Sequence, residues 1–152
     1  MKRSEAAAVS HLILTVISQL EYYNARARRE ELAKYTEAEL LRMQSEDSDS
    51  VLVAHMGDGL AGFCLSLYDD GVIWLAWFGV ECQWREKGIG TALLAALECT
   101  VRGRRCHKMW CDTRTVNLKS QKTLKKAGFK RICELERHWY GQDFYLWQKL
   151  VG

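Results

Sequence analysis

The sequence contains no proline among its 152 residues, and no Ser/Gly-rich linker interrupts it. We therefore expect one domain spanning residues 1–152, since nothing divides the chain. No stretch approaches the roughly 18 uncharged apolar residues of a membrane-spanning helix, so no membrane association is expected. The formal net charge is only +3. A charge this small does not indicate a nucleic-acid partner.

Cysteine pairs of the C-x-x-C type are also absent, although the chain has six cysteines. Cys106, His107 and Cys111 are close in sequence, but their spacing matches no standard zinc pattern, so we expect no metal. Reduced, buried thiols in a cytoplasmic protein fit this composition. The first 17 residues resemble a signal peptide only faintly, because polar residues interrupt the apolar run and no cleavage site follows.

The N-terminal third carries two capping-box patterns, Ser-x-x-Glu at 18–21 and Thr-x-x-Glu at 36–39. Each satisfies free amides at the start of a helix, which predicts helices at about 19–33 and 37–44. The preceding stretch "LILTVI", residues 12–17, is rich in β-branched residues and predicts a strand. It can instead continue a longer N-terminal helix, because helix-forming residues precede it.

The rest of the chain alternates apolar runs with glycine-bearing turns. Two Asp-Gly turns, "GDG" and "DDG", separate three apolar runs and predict an antiparallel meander. Its strands are 51–56, 60–68 and 72–80. The later elements are a helix from Gly88 to about Arg102, a strand at 106–112, a helix from about Leu118 to Gly128, and strands at 129–137 and 143–151. This order predicts an α+β fold with a mixed, mostly antiparallel sheet of six or seven strands and about four helices.

The stretch "QWREKGIGTALLAALE", residues 83–98, places two glycines where a predicted helix begins. Backbone amides at a helix N-terminus bind anions, and glycine lets the backbone approach a phosphate closely. A dinucleotide fingerprint needs a third glycine at position 93, which is Leu93. No Gly-Lys-Ser/Thr triplet follows a glycine at the P-loop distance either. Both nucleotide motifs are therefore excluded.

The pattern resembles the acetyl-CoA loop of the GNAT superfamily of N-acetyltransferases, Arg/Gln-x-x-Gly-x-Gly/Ala after a valine that ends a strand. This chain has Val80 and then the segment 85–90, "REKGIG". A second segment, "NLKSQKTLKKAGF" at 117–129, is similar to the family pattern Asn-x-x-Ala/Ser…Gly-Phe. The resemblance covers about residues 12–150 and implies a single GNAT-like domain.

The resemblance implies that acetyl-CoA is the co-substrate and that a backbone N–H near Val80 polarises the thioester carbonyl. The implied cofactor-binding residues are Phe78, Gly79, Val80, Arg85, Glu86, Lys87, Gly88, Ile89, Gly90, Thr91, Asn117, Ser120 and Lys122. For Lys122, an exposed helix lysine is the competing interpretation.

The acid and base that the family uses are harder to find here. Many relatives have a tyrosine seven residues after the asparagine as general acid, and this chain has Leu124. Tyr140 and His138 in the last predicted hairpin are the nearest alternatives. Glu81, which follows the strand, and Asp112, which ends the next one, are candidate bases.

The leading hypothesis is transfer of the acetyl group of acetyl-CoA to a primary amine of a small molecule or peptide by direct attack in a ternary complex. A protein N-terminal or lysine acetyltransferase is the first alternative, and a non-catalytic acyl-CoA-binding module, suggested by Leu124, is the second. The sequence identifies no acceptor, because acceptor loops vary freely within a fold. Either a monomer or a homodimer fits.

Overall fold

A computed structural model describes all residues from Met1 to Gly152. It contains five α-helices and one six-stranded sheet with the strand order β1-β2-β3-β4-β6-β5. The strands are β1 (Val51–Met56), β2 (Gly59–Asp69), β3 (Val72–Val80), β4 (Lys108–Arg114), β5 (Lys130–Leu135) and β6 (Phe144–Leu150). The helices are α1 (Ala6–Ser18), α2 (Ala25–Lys34), α3 (Glu37–Glu46), α4 (Ile89–Gly103) and α5 (Leu118–Lys126). None of these helices combines the length and apolar character needed to cross a membrane.

The predicted meander is confirmed. Strands β1, β2 and β3 pair antiparallel in sequence order. Asp70 and Gly71 form the two-residue loop between β2 and β3, with φ angles of 45° and 80°. Positive φ at both positions is the geometry that selects Asp-Gly in tight hairpins. Only the β3–β4 pair is parallel, so the sheet is mixed and mostly antiparallel, as expected.

The strand predicted at residues 12–17 is wrong, because this segment forms the second half of α1. Its apolar residues continue a helical stripe that starts earlier, with Val9, Leu12, Ile13 and Val16 all buried on one face. The β-branched side chains favoured a strand locally, but burial of this stripe against the sheet decides the conformation. The alternative of one longer N-terminal helix is therefore correct.

The first capping box fails for the same reason, because Ser18 is the last residue of α1. Helix α2 instead begins after Asn24, whose side-chain oxygen accepts a hydrogen bond from the Ala27 N–H at 2.8 Å. Of the two contacts in the second predicted capping box, the one made by the Thr36 side chain is confirmed. Thr36 caps α3 and accepts from the Glu39 N–H at 3.2 Å. The Glu39 carboxylate pairs with a later arginine of the same helix rather than reaching back.

Helices cover both faces of the sheet. Helices α4 and α5 pack on one face around Leu93, Leu97 and Leu124, and helices α1 and α3 pack on the other around Ile13 and Leu40. Strand β3 thus lies between two apolar layers at the middle of the sheet, and β4 contributes Met109 and Cys111 to the layer under α4 and α5. This packing fixes the two strands that flank the site described below.

Two glycines allow the β2–β3 ladder and its covering side chains to come close. A Cβ on Gly79 would lie 2.7 Å from the Phe63 ring, and one on Gly62 would lie 2.8 Å from the Gly79 carbonyl oxygen. Phe63 is fully buried, so its ring has no free space to move into. Gly79 therefore has a packing role that is independent of any ligand.

We expect Gly79→Ala to lower the free energy of unfolding by about 1–3 kcal/mol, because the added methyl group overpacks a filled core. Gly103→Ala is the matched control, since a Cβ there meets nothing within 4 Å and the residue lies in α4. Guanidinium unfolding measures both variants. Equal unfolding free energies for Gly79→Ala and the unchanged protein would contradict the close approach to Phe63.

Candidate active site

Strands β3 and β4 are paired at only three positions, from Val72–Lys108 to Trp74–Trp110. Both strands continue beyond this point, β3 to Val80 and β4 to Arg114, without pairing to each other. The rings of Trp74 and Trp110 meet edge to face at 5.4 Å where the strands part. The gap opens into a cleft of about 1030 Å³, which brings together residues from both faces of the sheet.

The β3 side of the gap presents free backbone groups. In an antiparallel ladder, every second residue of a strand is hydrogen-bonded to the partner strand, and the residues between point their N–H groups the other way. Glu81 is one of the bonded residues, since its N–H donates to the Ala61 carbonyl oxygen beside β2 at 2.9 Å. The register pairs Val80 with Gly62 and Phe78 with Cys64, so the N–H groups of Phe78 and Val80 point away from β2. They face the gap. A ligand lying along β3 can accept from them as an added strand would.

The N-terminus of α4 forms one end of the cleft. Gly88 precedes the helix with φ of 80°, and space beyond its Cα is open for 4 Å. No N–H from Gly88 to Thr91 donates a hydrogen bond within the protein, and no side chain caps the helix. Four free amides and the positive end of the helix dipole therefore face the cleft, which fits a phosphate.

Basic side chains surround these amides. Arg85 lines the cleft, and its Nε donates to the Val80 carbonyl at 3.2 Å. Lys122, expected from the sequence, lines the cleft together with Lys119 and Lys126. The sequence reasoning missed the last two as site residues, although their spacing places them on one face of α5. This end of the cleft is cationic.

Of the expected donor-site residues, only Lys87 lies outside the cleft lining; its ammonium group packs over the Trp84 ring at 4.6 Å. Asn117 and Ser120 both line the cleft and bond to each other, because Asn117 caps α5 through the Ser120 N–H at 3.2 Å. Leu124, at the position of the family's tyrosine, is fully buried in the core and does not reach the cleft.

The other end of the cleft holds a buried carboxylate that sequence reasoning missed. Both Glu31 oxygens are bonded: Oε2 accepts from Trp77 Nε1 at 3.0 Å, and Oε1 accepts from Tyr140 at 2.5 Å and Lys34 at 2.6 Å. Glu31 shares the buried face of α2 with Ala27. A charged residue on the buried face of a helix was the feature of the sequence that could have indicated this site. Burial, followed by the Glu31 hydrogen bond, raises the pKa of Tyr140.

A second carboxylate, Asp112, lies in the same end of the cleft. Its Oδ2 accepts from Trp139 Nε1 at 2.6 Å, and His138 Nε2 is 3.7 Å from that oxygen. Burial raises the pKa of Asp112, opposed by the Trp139 hydrogen bond and by His138, and Glu31 raises it further. His138 itself does not line the cleft. Glu81 does not line it either, and its carboxylate accepts from Gln83 at 2.9 Å.

Aromatic residues of the α1–α2 loop wall this end. Tyr22 and Tyr23 line the cleft, and the Arg114 guanidinium lies about 6 Å from each ring, at 6.0 and 5.9 Å. Arg114 donates to the Tyr22 carbonyl oxygen, and Gln142 donates to the same oxygen at 3.1 Å. The loop is therefore tied to β4 and to the β5–β6 loop. No three His, Cys, Asp or Glu side chains are grouped as metal ligands.

The cleft has free amides and lysines at one end and the carboxylates of Glu31 and Asp112 at the other, an arrangement expected of an enzyme that transfers a group between two substrates. Residues 16–129 match the model of the acetyltransferase (GNAT) family. The match covers most of the chain, and the protein belongs to this family. The α+β fold inferred from the resemblance is confirmed, and acetyl-CoA is the co-substrate.

Similar solved structures support the fold. A ribosomal-protein-alanine N-acetyltransferase from Brucella melitensis is 20% identical with a TM-score of 0.80, covering 99% of this chain and 97% of its own. A GNAT-family acetyltransferase from Streptococcus pneumoniae is 19% identical, with a TM-score of 0.79 and coverage of 100% and 96%. A putative acetyltransferase (yncA) from Salmonella typhimurium with its cofactor acetyl-CoA is 17% identical, with a TM-score of 0.76 and coverage of 100% and 91%. No curated protein matches the sequence.

The buried Asp112 gives the folding equilibrium a pH dependence. Its pKa is higher in the folded protein than in the unfolded chain, so the folded state binds more protons in the window between the two values. The contribution of Asp112 to the free energy of unfolding therefore falls as pH rises through that window. We expect Asp112→Asn, which still offers an oxygen to Trp139, to gain stability relative to the unchanged protein as pH rises. Guanidinium unfolding across a pH series measures this, and a pH-independent difference contradicts it.

Proposed function

We propose that this protein is an N-acetyltransferase that transfers the acetyl group of acetyl-CoA to a primary amine of a small molecule or peptide in a ternary complex. The observation that carries the proposal is one continuous cleft with free amides from Gly88 to Thr91 at one end and the carboxylates of Asp112 and Glu31 at the other. Six free cysteines fit a reducing, cytoplasmic location.

The donor end would hold the phosphates of the co-substrate. The amides of Gly88 to Thr91 donate to the pyrophosphate, and Arg85, Lys119, Lys122 and Lys126 add positive charge around it. The absence of a Cβ at Gly88 and the open space beside it fit close approach of a phosphate. Asn117 and Ser120 form the wall beside this channel. Acetyl-CoA supplies the acetyl group as an activated thioester.

The N–H groups of Phe78 and Val80 face the gap and would serve two purposes. Along β3 they align a ligand as an added strand, and the one farther from the Gly88 loop, from Phe78, donates to a carbonyl oxygen as negative charge develops on it. A fixed backbone donor of this kind is among the stronger contributions to acyl transfer. Gly79, between the two, has its packing role against Phe63.

Asp112 is our candidate for the group that takes the proton from the acceptor ammonium. It lines the cleft, and burial moves its pKa upward, toward that of an efficient base at neutral pH. Glu81, the sequence-based candidate, is less well supported, because it bonds Gln83 and does not line the cleft. His138 would act through Asp112, whose oxygen it approaches to 3.7 Å.

Tyr140 is our candidate for the proton donor to the departing thiolate. Tyr140 lines the cleft, and burial raises the pKa of its hydroxyl, which is protonated at neutral pH. Leu124 has neither a proton to give nor access to the cleft. A thiol is a fair leaving group, so the reaction tolerates a weaker acid than the family's usual tyrosine.

A protein N-terminal acetyltransferase is the second candidate. The similar structure from Brucella melitensis is a ribosomal-protein-alanine N-acetyltransferase, and its fold covers this chain almost completely. Trp139, beside Asp112, is half exposed at the acceptor end, where a peptide would pass. A lysine side chain as acceptor and a module that binds acetyl-CoA without turnover remain as further outcomes of the same assay.

Thiol release from acetyl-CoA, measured over a panel of amines and peptides, tests the proposal. We expect turnover with at least one acceptor, and a loss of acetyl-CoA affinity of at least about 100-fold for Gly88→Asp, which places a carboxylate where phosphate binds. Gly57→Asp is the matched control, since Gly57 also has positive φ and open space but lies in the β1–β2 turn. Binding without turnover would favour the non-catalytic module, and no binding would refute the proposal.

The acid and base assignments predict a specific pH profile. We expect Asp112→Asn to lower kcat by about 10²–10⁴-fold, the usual contribution of a general base, and to remove the acidic limb of the profile. Tyr140→Phe should lower kcat and alter the alkaline limb. A large loss in Glu81→Gln together with normal activity of Asp112→Asn would transfer the role of base to Glu81.

A further inference from the structure

Glu31 is held in an arrangement that suits an ammonium ion. Its side chain is 9% exposed, and of its three hydrogen-bond donors two are neutral, the Trp77 indole and the Tyr140 hydroxyl. The only cation in contact is Lys34, whose Nζ lies 2.6 Å from Oε1. A buried carboxylate is costly without a cation, so this position requires a positive charge from somewhere.

Lys34 is a loosely held source of that charge. Its side chain is 51% exposed, whereas Glu31 is buried, so the lysine can swing into solvent and the carboxylate cannot. Apart from Glu31, the Lys34 Nζ contacts only Tyr140. It donates to the Tyr140 hydroxyl at 3.0 Å and lies 5.7 Å from the centre of the Tyr140 ring. A carboxylate, a hydroxyl and an aromatic face together form a recognition site for a primary ammonium group.

We propose that Glu31 is the docking site for the ammonium group of the acceptor, and that Lys34 is a resident competitor that the acceptor displaces. This rests on the proposed function, which makes the acceptor an amine. Asp112 and Glu31 both line this end of the cleft, beside Trp139 and Tyr140 of the β5–β6 loop. An ammonium group bound at Glu31 is therefore brought to the end of the cleft that holds the candidate base.

The walls of this site define the rest of the ligand. Tyr23, Tyr35 and Trp77 line the cleft around Glu31, and the rings of Tyr23 and Trp77 are 5.9 Å apart. Three aromatic rings around one carboxylate favour a ligand whose ammonium group is attached to an apolar or aromatic group. The substrate class is thus a primary amine carried on an apolar group, either free or at the end of a peptide.

A resident competitor lowers apparent affinity by the fraction of time that it leaves the site open. If Lys34 occupies Glu31 about nine-tenths of the time, its removal tightens amine binding about tenfold. If Lys34 is instead a permanent partner that shapes the site, its removal weakens binding or leaves it unchanged. Only the first role therefore predicts tighter amine binding when Lys34 is removed.

Binding of 2-phenylethylamine, followed through the NMR signal of the Trp77 indole N–H, separates these roles without requiring acetyl transfer. The neutral 2-phenylethanol reports binding that does not depend on charge. Lys34→Met and Lys34→Gln are compared with Arg29→Met, which removes a positive charge from the exposed side of α2. Glu31→Gln removes the docking charge, and thermal unfolding confirms that each variant is folded.

We expect about tenfold tighter amine binding in both Lys34 variants, no change in Arg29→Met, loss of binding in Glu31→Gln, and no comparable gain for the alcohol. Equal or weaker amine binding in the Lys34 variants, or no amine binding in any variant, overturns the inference. Since this readout needs no turnover, failure of the acetyltransferase proposal appears separately, as amine binding without thiol release.

Discussion

The parting of β3 and β4 after three paired residues is the constraint on which the site depends. It leaves two strand edges unpaired at the centre of a sheet, and the N–H groups of Phe78 and Val80 face the gap without a strand partner, so a ligand can accept from them. Helices α4 and α5 place Leu93, Leu97 and Leu124 under the sheet, in the same core as Met109, which lies in the paired part of β4. The cleft begins where this pairing ends.

Charge is divided along this cleft. The free amides of Gly88 to Thr91 and three lysines of α5 make one end positive, while Glu31 and Asp112 bring carboxylates to the other. Under the proposed function, an anionic donor and a cationic acceptor would enter opposite ends of the cleft. Tyr22 and Tyr23 close the acceptor end, and the bonds from Arg114 and Gln142 to the Tyr22 carbonyl fix that wall.

Structural features that depend on a few consecutive residues were predictable from the sequence. The turn at Asp70–Gly71, the Thr36 cap and the glycines before α4 each depend on local backbone geometry, and the meander and the family follow from them. The strand predicted at residues 12–17 was wrong because its β-branched residues also complete a helical stripe that begins at Val9. Propensity was the weaker signal there, and the period of the buried side chains was the stronger one.

The acceptor end was harder to predict because its contacts join distant parts of the chain. Glu31 and Tyr140 are 109 positions apart, and nothing in the sequence near either residue indicates the other. Glu81 follows β3, and Asp112 lies within β4, which extends two residues past the strand end predicted there. Only the course of the cleft separates the two carboxylates as candidates. Arg85 and Asn117, by contrast, were predicted from short motifs that resemble those of the family, because each lies beside the turn or helix start that the motif describes.

Amide hydrogen exchange, measured residue by residue by NMR with and without acetyl-CoA, tests the central claim most directly. The chain has no proline, so every position in the gap and the loop carries an observable amide. The account predicts slower exchange on binding at Phe78, Val80 and from Gly88 to Thr91, with no change in the β1–β2 turn. Binding of acetyl-CoA that leaves these amides unprotected would contradict it.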